Sequence, residues 1–440
     1  MNRLFIRSAR KGAHVSNKVL SRAIHFSGRV ENKATRLLNG TDYTISIDES
    51  IPLEKIYYNS IPHVTPLNPA LPAVGQKASV VLFIPSLDDK SFYGGTATAL
   101  VVAAKIAIIE QKPLKIVQTL KNGKVGSLSE FYKSEGITIS DNDISILGIA
   151  ERSFNVYGYL PMHPEDTYIA SAWWDAYLIG QLPLTKKFIY LIQDFEPIFY
   201  NNSDLYILAE STYKKDNFIP LCNTKLMWDF MQDRNYPAFN NKLTHWFEPA
   251  VSRKISGTVT KKYKNDKYKM FLYGRPDVHR NLFFTGLNSI DYALKASFID
   301  PGEWEFFMAG QDNIPDIVLT SGAKINNLGK MTMPDYITFS KSVDLAVSLM
   351  MAPHPNYPTL EFASIGSAVV TTKYANKKDL SNYCKNIIIS DIDVEAIAGA
   401  IKNAAKITYN ERMFNLNNSN IKSSWDNALD YSLKKMLSLL

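Results

Sequence analysis

Apolar residues in this chain fall into short runs separated by longer stretches with a helical pattern. In the first half, the short runs are rich in β-branched residues and predict buried strands: ASVVLFIPSL, LKIVQTL, ISILGIA, TYIASAW, FIYLIQD and FIPLCN. The stretches between them predict helices: GGTATALVVAAKIAII, SLSEFYKSEG, WWDAYLIGQL, SDLYILAESTYKK and TKLMWDFMQDR. Strands that alternate with helices indicate a parallel sheet covered on both faces.

The polar and basic stretch 248–268 interrupts this alternation, which then restarts. Beyond it we expect strands at KMFLYGR, WEFFMAG, DIVLT, VDLAVSLM, SAVVTT and NIIIS. Helices are expected near residues 281–297 and at PDYITFSKS, PTLEFASIG, VEAIAGAIKNAAKI and WDNALDYSLKKMLSLL. The pattern predicts an α/β protein with a lead-in segment (1–77), two parallel-sheet domains (78–250 and 251–422) and a terminal helix (423–440).

Length and composition agree with two domains. A chain of 440 residues exceeds one compact core, and 46% hydrophobic and 21% charged residues are ordinary for a globular protein. Cys222 and Cys384 are too few for a disulfide framework, which indicates a reducing, cytosolic compartment. The apolar stretch TATALVVAAKIAII is too short to span a bilayer and contains Lys105, so we interpret it as a buried helix.

Part of the net charge of +7 lies at the N-terminus, where residues 1–30 contain no acidic side chain. Three interpretations remain open: a basic helix on an anionic membrane face, a nucleic-acid-binding arm, or a solvated helix packed on the protein body. No zinc-ligand spacing or helix-turn-helix pattern supports the second, so we expect no nucleic-acid partner. The first would add peripheral binding at the inner face of the cell membrane to a cytoplasmic location.

The strand FIYLIQD ends in polar residues, Gln193 and Asp194, and Glu196 follows. In open parallel sheets, ligands bind at the carboxyl ends of the strands, where the N-termini of the helices also point. Asp194 therefore either lines a cleft or caps the turn or helix that follows it.

Two strand–helix junctions carry further candidates. FYGGTA places Gly94 and Gly95 at a helix start, where the missing Cβ atoms let a ligand or a neighbouring backbone approach; an ordinary tight turn is the alternative. LYGRPDVHRNLF places Arg275 directly after a strand. Its guanidinium could donate two hydrogen bonds to phosphate oxygens, or it could pair with Asp277 on the surface.

Two stretches of the second half extend this picture. In NNLGKMTMPDY, Lys330 follows a glycine before a helix, where its charge could neutralise a second phosphate. In LMMAPHPNYPTLEFASIG, Pro358 suits the first turn of a helix, so that Thr359 and nearby backbone N–H groups would face the cleft and bind an anion. Glu361 would accept hydrogen bonds from sugar hydroxyls or would only interact favourably with the helix dipole.

Metal and nucleophile motifs are weak in this chain. DND (141–143) and DID (391–393) resemble an Asp-x-Asp metal motif, but the first also has the composition of a turn and Asp393 is a candidate helix N-cap. H-E-x-x-H, a Cys/His ligand spacing and a G-x-S-x-G elbow are all missing from the sequence. We therefore expect no metal site.

Taken in order, the segments FYGG, YIASAWWDAY, YLIQDFEP, LYGR, LGKM and PTLEFASIGSAVVTT resemble a GT-B glycosyltransferase. They are most similar to the bacterial dTDP-rhamnose-dependent rhamnosyltransferases of the WsaF type, in the retaining GT4-like group. The resemblance covers residues 78–440. It implies two Rossmann-like domains that face each other across a cleft, with the last helix crossing back onto the first. The C-terminal domain would bind the nucleotide sugar and the N-terminal domain the acceptor glycan.

Carried over to this sequence, the resemblance implies a donor site made of Gly95, Arg275, Lys330, Tyr357, Pro358, Thr359 and Glu361. Asp194 and Arg275 would be catalytic, and Trp174, Gln193 and Glu196 would bind the acceptor. One departure stands out: the wider group has a first glutamate before the one that matches Glu361, and this chain has Pro353 there.

The implied reaction moves L-rhamnose from dTDP-L-rhamnose to a hydroxyl of a growing cell-surface glycan, such as an S-layer or O-antigen glycan, with retention and without a metal or other cofactor. Two alternatives remain open: a transferase that uses a UDP- or GDP-linked donor, and a non-catalytic protein that binds nucleotide sugars. The acceptor glycan would be free or lipid-linked, and the protein a monomer or a homodimer.

Overall fold

The structure, a computed structural model, describes residues 53–72, 74–87, 94–152, 158–240, 245–251, 257–263 and 266–438. The chain divides into two compact units, Met1–Ser60 and Ile61–Leu440. The described part of the first unit is one helix, α1 (Leu53–Ser60). The basic segment 1–30 and its three interpretations lie outside the described residues.

Short strands make up the sheets of the second unit, and their bounds follow in chain order. They are β1 (Asn68–Ala70), β2 (Val80–Ile84), β3 (Leu114–Gln118), β4 (Ile144–Gly148), β5 (Tyr159–Pro161), β6 (Thr167–Ala170), β7 (Phe188–Ile192), β8 (Phe218–Asn223), β9 (Trp246–Phe247), β10 (Tyr268–Tyr273), β11 (Trp304–Ala309), β12 (Ile317–Val318), β13 (Lys324–Asn327), β14 (Leu345–Val347), β15 (Ala368–Thr372) and β16 (Ile387–Ser390).

The helices of this unit lie mostly between consecutive strands. They are α2 (Gly94–Glu110), α3 (Leu128–Ser134), α4 (Trp173–Ile179), α5 (Asp204–Tyr213), α6 (Lys225–Asp233), α7 (Phe283–Lys295), α8 (Met333–Ser340), α9 (Tyr357–Ser364), α10 (Val394–Ala405), α11 (Tyr409–Asn417) and α12 (Trp425–Leu437). Most of them begin with a capping side chain, as Ser127 does for α3 and Asp393 for α10.

Two seven-stranded sheets dominate the fold. The first has the order β4-β3-β2-β6-β7-β8-β9 with all neighbours parallel. The second has the order β12-β13-β11-β10-β14-β15-β16 and is parallel except for the β12–β13 pair. The strand order reverses between β2 and β6 and between β10 and β14. Such switch points leave a crevice at the carboxyl ends of the strands, which we call the carboxyl edge of each sheet.

The predicted fold class is confirmed: two mostly parallel sheets are each covered by helices. The helix α1 and the short strands β1, β5 and β9 were not expected. Three further elements also differ from the expectation. The run DIVLT forms only the two-residue strand β12, while the polar strand β13 and the helix α11 were not expected. β13 pairs with β11 along the chain Phe306–Met308, so backbone pairing to a buried neighbour, rather than its own apolar pattern, decides its conformation.

The terminal helix α12 returns to the first sheet because it packs on α2. Residues 98–107 of α2 are all buried, because one side packs on the sheet and the other on α12. Leu429, Leu433 and Met436 of α12 lie in the same apolar cluster as β2 and α2. The Lys105 ammonium donates hydrogen bonds to Asp426 and Asp430 of α12 at 2.6 and 2.7 Å. The expected return of the last helix is therefore confirmed.

Within the described residues, no helix has both the length and the apolar character needed to cross a bilayer. This agrees with the interpretation of the stretch around Lys105 as a buried helix.

Candidate functional site

The carboxyl edges of the two sheets meet at Tyr357, the first residue of α9. Its hydroxyl forms a hydrogen bond with the Thr98 hydroxyl on α2 and accepts another from the Asn223 amide at 3.2 Å. Both partners belong to the first sheet and its helices. One side chain of α9 therefore links the two halves of the protein, each of which consists of one seven-stranded sheet and its helices. Burial raises the pKa of Tyr357 to about 12, which keeps the hydroxyl protonated and able to donate.

The glycine pair at the start of α2 lies beside this contact. Gly94 has φ of +51°, a left-handed conformation that favours glycine, and a Cβ added to it would lie 3.7 Å from the Tyr357 ring. A Cβ on Gly95 would lie 3.4 Å from the Gln193 amide, which donates a hydrogen bond to the Gly95 carbonyl at 2.8 Å. The sequence predicted a close approach at this junction. In the structure, side chains of both halves approach the two glycines.

Asp194 follows β7 and is buried, with 6% of its surface exposed. Its carboxylate lies 3.2 Å from the Arg280 guanidinium and 3.5 Å from the His354 ring, both of the second half. Its Oδ1 also accepts a hydrogen bond from the Phe195 amide at 2.8 Å. The two interpretations of Asp194 therefore both apply: it stabilises a local turn, and it faces the other half across the crevice.

The second half determines the charge of Asp194. Burial alone would raise the pKa of this carboxyl, but His354 and Arg280 outweigh burial and lower the pKa below its ordinary value. The Arg280 guanidinium also lies 4.0 Å from the centre of the Phe199 ring, which fixes its orientation from the first half. A carboxylate at the end of β7 is therefore kept ionised by basic side chains of the facing half.

Arg275 lies after β10 with its side chain partly buried, and its Nη1 donates to the Tyr273 hydroxyl at 3.5 Å. Gly310, at φ of +132°, makes room for it, since a Cβ there would lie 2.8 Å from Arg275 Cγ. Asp277 accepts a hydrogen bond from Gln311 at 2.6 Å. Among the described residues no carboxylate lies within ion-pair distance of Arg275, so the alternative pairing with Asp277 is absent.

Lys330 lies after β13, at the same carboxyl edge as Arg275. Its side chain is exposed, and its backbone N–H donates to Asp312 at 2.8 Å. Gly329 precedes it at φ of +65°, a turn that directs the chain away from the strand. Within the described part of the chain no carboxylate forms an ion pair with the Lys330 ammonium.

The N-terminus of α9 differs in one respect from the expectation. Asn356 caps the helix by accepting a hydrogen bond from the Thr359 amide at 3.1 Å, and Pro358 lies in the first turn as predicted. Thr359 is fully buried, however, and its hydroxyl also bonds to Asn356. The cap uses both groups of Thr359, and Pro358 has no N–H. The N–H in this turn that could bind an anion is therefore that of Tyr357.

Glu361 lies one turn further along α9 and accepts a hydrogen bond from the Tyr336 hydroxyl of α8 at 2.7 Å. Burial raises the pKa of Glu361 to about 7, although the Tyr336 hydrogen bond opposes the rise. Glu361 as a whole residue is half-buried. Its contact with a sugar hydroxyl stays a prediction, and Tyr336 is a neighbour that the sequence did not reveal.

The three predicted acceptor residues have different surroundings. Gln193 faces the glycine pair, as described above. Trp174 is partly exposed, and its ring centre lies 5.3 Å from that of His63. Its indole N–H has no hydrogen-bond partner among the described residues. Glu196 is buried, accepts a hydrogen bond from the Trp173 amide at 2.5 Å and thereby caps α4. Burial raises the pKa of Glu196 well above its ordinary value. Their role in acceptor binding stays a prediction.

The two acidic triplets have structural surroundings. DND forms the 3-10 turn Asp141–Asp143, and Asp393 of DID caps α10 through the Ala396 amide at 2.7 Å. In the described ranges, no group of His, Cys, Asp and Glu side chains is arranged to hold a metal ion.

Two functional candidates were missed or underrated from the sequence. His354, which follows Pro353, faces Asp194. From the sequence, its contribution in place of the missing first glutamate was no more than a conjecture. Lys377 lies in the loop after β15 with its side chain fully buried. In the sequence, Lys377 follows a buried strand by a few residues and has other lysines close to it. Nothing in that pattern indicates which of these lysines is buried.

Comparison with known families gives two matches that together cover more than half of the chain. The profile of the WsaF N-terminal domain matches residues 79–225, and that of the WsaF C-terminal domain matches residues 268–402. Among curated proteins, the O-antigen biosynthesis protein RfbC of Myxococcus xanthus is 24% identical over 277 residues. This alignment covers 62% of the chain but only 21% of RfbC, so the chain spans about a fifth of its relative.

Solved structures share the architecture at low identity. HepE of Anabaena, in complex with UDP-glucose, gives a TM-score of 0.56 at 11% identity over 82% of this chain and 99% of that one. TarM of S. aureus, in a complex containing UDP, gives 0.53 at 9% identity over 82% and 99%. WaaG, a glycosyltransferase involved in lipopolysaccharide biosynthesis, gives 0.53 at 12% identity over 82% and 99%. These likenesses show that the fold is the GT-B fold.

Proposed function

This chain belongs to the WsaF family, and from that premise we propose that it is a glycosyltransferase of cell-surface glycan synthesis. The observation that carries the proposal is the crevice between the carboxyl edges of the sheets. There the ionised Asp194 of the first sheet faces basic residues of the second, next to the N-terminus of α9. A nucleotide sugar needs both halves: cations for its diphosphate and a carboxylate for its sugar.

The donor diphosphate would bind at the carboxyl edge of the second sheet. Arg275 and Lys330 lie at the ends of β10 and β13, on one side of the switch point, and α9 begins on the other. Neither cation is neutralised by a carboxylate among the described residues, so both can pair with phosphate oxygens. Glu361, one turn into α9, would accept hydrogen bonds from the nucleoside sugar.

Catalysis would rest on electrostatic stabilisation. When the bond between the sugar and the diphosphate breaks, negative charge builds up on the leaving phosphate and positive charge on the sugar ring. Arg275, Lys330 and the backbone N–H of Tyr357 at the start of α9 would stabilise the first charge, and Asp194 would stabilise the second or orient the acceptor hydroxyl. Donors that are already in place before the reaction need no reorganisation, which makes this stabilisation effective.

For the donor we propose dTDP-L-rhamnose, with transfer to a hydroxyl of a growing glycan and retention of the anomeric configuration. What supports this choice is the resemblance of YLIQDFEP, LYGR and LGKM to the dTDP-rhamnose-dependent enzymes of the family. HepE, a fold neighbour, is described in complex with UDP-glucose. UDP- and GDP-linked sugars are therefore the competing donors.

The test is a donor panel with the purified full chain. The protein is incubated with dTDP-L-rhamnose, UDP-glucose or GDP-mannose and a short rhamnose-containing acceptor, and the product is followed by mass spectrometry and its linkage by NMR. We expect turnover with dTDP-L-rhamnose at least about tenfold faster than with the other donors, a difference of roughly 1.4 kcal/mol in transition-state binding.

Thermal shift with the same nucleotides separates the remaining outcomes. Specific binding raises the melting temperature. A protein stabilised by dTDP but lacking turnover with every donor would be the non-catalytic alternative. Faster turnover with UDP-glucose or GDP-mannose would keep the transferase and replace its donor.

A further inference from the structure

Lys377 is a lysine without any exposed surface. It lies in the loop 373–378, which follows β15 and closes on itself through backbone hydrogen bonds between Tyr374 and Lys377. The same loop reaches the first half, because the Asn376 amide donates to the Leu226 carbonyl of α6 at 2.8 Å. Lysine is rarely buried unless it is paired, so this position requires a reason.

The Lys377 amine donates a hydrogen bond to the Met350 carbonyl at 2.9 Å. Thr372 contacts the same residue, since its hydroxyl accepts from the Met350 amide at 3.0 Å and donates to the Met350 carbonyl at 3.1 Å. The last residue of β15 and the buried lysine of the loop after it therefore both hold Met350, at the start of the segment 350–356.

The segment 350–356 contains His354 and places its ring beside Asp194. The His354 ring has 7% of its surface exposed, its Nδ1 lies 2.8 Å from the Pro355 carbonyl, and its Nε2 lies 3.5 Å from Asp194. Fixing Met350 thus fixes the backbone on which the partner of Asp194 is mounted. Lys377 acts on Asp194 through this chain of contacts.

Charge links the same groups. Burial lowers the pKa of Lys377 to about 7, and the negative charge of Asp194 opposes that decrease. The charged and titratable groups around Asp194 are Arg280, His354, Lys377 and Tyr374 from the second half and Glu196 and Tyr213 from its own.

We propose that Lys377 is a positioning residue for Asp194: its amine anchors, through the Met350 carbonyl, the segment that bears His354. This inference rests on the proposed function, since Asp194 must act on the sugar for its positioning to matter. Lys377 would then affect the rate of the chemical step and leave the binding of the nucleotide unchanged.

The first test compares Lys377→Met, which keeps the length of the side chain and removes its charge, with Lys378→Met at the adjacent exposed lysine. We expect Lys377→Met to lower kcat at least tenfold with KM for the donor changed less than about threefold. The wild-type dependence of kcat on pH should show a transition near neutrality that the variant lacks. Lys378→Met should keep both the rate and the pH profile.

An unchanged kcat in Lys377→Met, or a pH profile that keeps its neutral transition, would overturn the proposal. Loss of stability alone would not imitate the expected result, because a merely structural role changes the amount of folded protein and leaves the shape of the pH profile as it was. The nucleotide-induced rise in melting temperature provides the control for intact donor binding.

The second test does not need turnover. Between about pH 7 and the ordinary lysine pKa of 10.5, the unfolded chain binds a proton at Lys377 that the folded protein does not, so folding stability should increase as the pH rises through this window. Lys377→Met should lose this increase, and Lys378→Met should keep it. A melting temperature whose pH dependence is the same in wild type and Lys377→Met overturns the burial and the lowered pKa of Lys377, and with them the proposal, even where no donor is turned over. Missing turnover together with the expected pH dependence overturns the proposed function alone.

Discussion

The carboxyl edges of the two sheets have the same topology and opposite chemistry. At the edge of the first sheet lie three buried carboxyl groups, those of Asp175, Asp194 and Glu196. At the edge of the second lie Arg275 and Lys330, which have no carboxylate partner among the described residues. One sheet presents acids that water hardly reaches, and the other presents cations that are free to bind an anion.

The three acids show how the second half selects one of them. Burial raises the pKa of Asp175 to about 7 and that of Glu196 well above its ordinary value. Asp194 is equally buried, yet its pKa is lowered, because Arg280 and His354 approach it from the facing sheet. The charge at the site is therefore a property of the assembled halves. The predictions below separate the contributions of the two edges.

The largest effect is expected at the cationic edge. Replacing Arg275 with alanine removes a guanidinium proposed to stabilise the leaving diphosphate, so kcat/KM for the donor should fall by about 10³-fold or more. The fall in kcat/KM is measured in stopped assays with the donor that the panel identifies. Lys324→Ala is the matched control, since Lys324 lies on β13 of the same sheet and pairs with Asp316 at 2.7 Å. Activity of Arg275→Ala within a few-fold of wild type would remove the phosphate assignment.

The next effect belongs to the acidic edge. Asp194→Asn keeps the size of the side chain and removes its charge, so we expect kcat to fall by about 10²-fold while the nucleotide still raises the melting temperature. Steady-state kinetics and thermal shift on the same preparation test this division. Loss of nucleotide binding in Asp194→Asn, with normal chemistry once the donor is saturating, would place Asp194 at the donor and contradict the proposed separation of the two edges.

The smallest effect is expected where the edges touch. Tyr357→Phe removes the hydroxyl that bonds to Thr98 and Asn223, which should lower the free energy of unfolding by about 1 kcal/mol and raise KM modestly. Urea denaturation measures the first quantity. Tyr431→Phe, on an exposed side chain of α12, is the control. Equal stability of Tyr357→Phe and wild type would show that the contact between the halves contributes little in solution.

Much of the fold could be predicted because its causes are local. A β-branched apolar run such as FIYLI is buried on both faces wherever the sheet forms, and Pro358 marks a helix start by its fixed φ. The ends of β7 and β10 were placed to within two residues, so Asp194 and Arg275 were expected just beyond a strand. The strand β13 escaped prediction because its conformation depends on pairing with β11.

The candidate site was predicted less completely, because its decisive contacts join distant segments. The cation that faces Asp194 is Arg280, five residues after Arg275, and no role was predicted for it. Thr359 and Glu196 looked available for ligands and are used instead as parts of helix caps. Lys377 looked like one surface lysine among several and is fully buried.

The sequence by itself determined the elements, their parallel arrangement and the strand ends where chemistry would be placed, since periodicity, turn residues and capping residues act within a few positions. Only the tertiary structure decided which of those polar groups meet and which are charged. Pairing between the halves and the loss of water around each group set those properties, and neither is encoded in any short stretch of the chain.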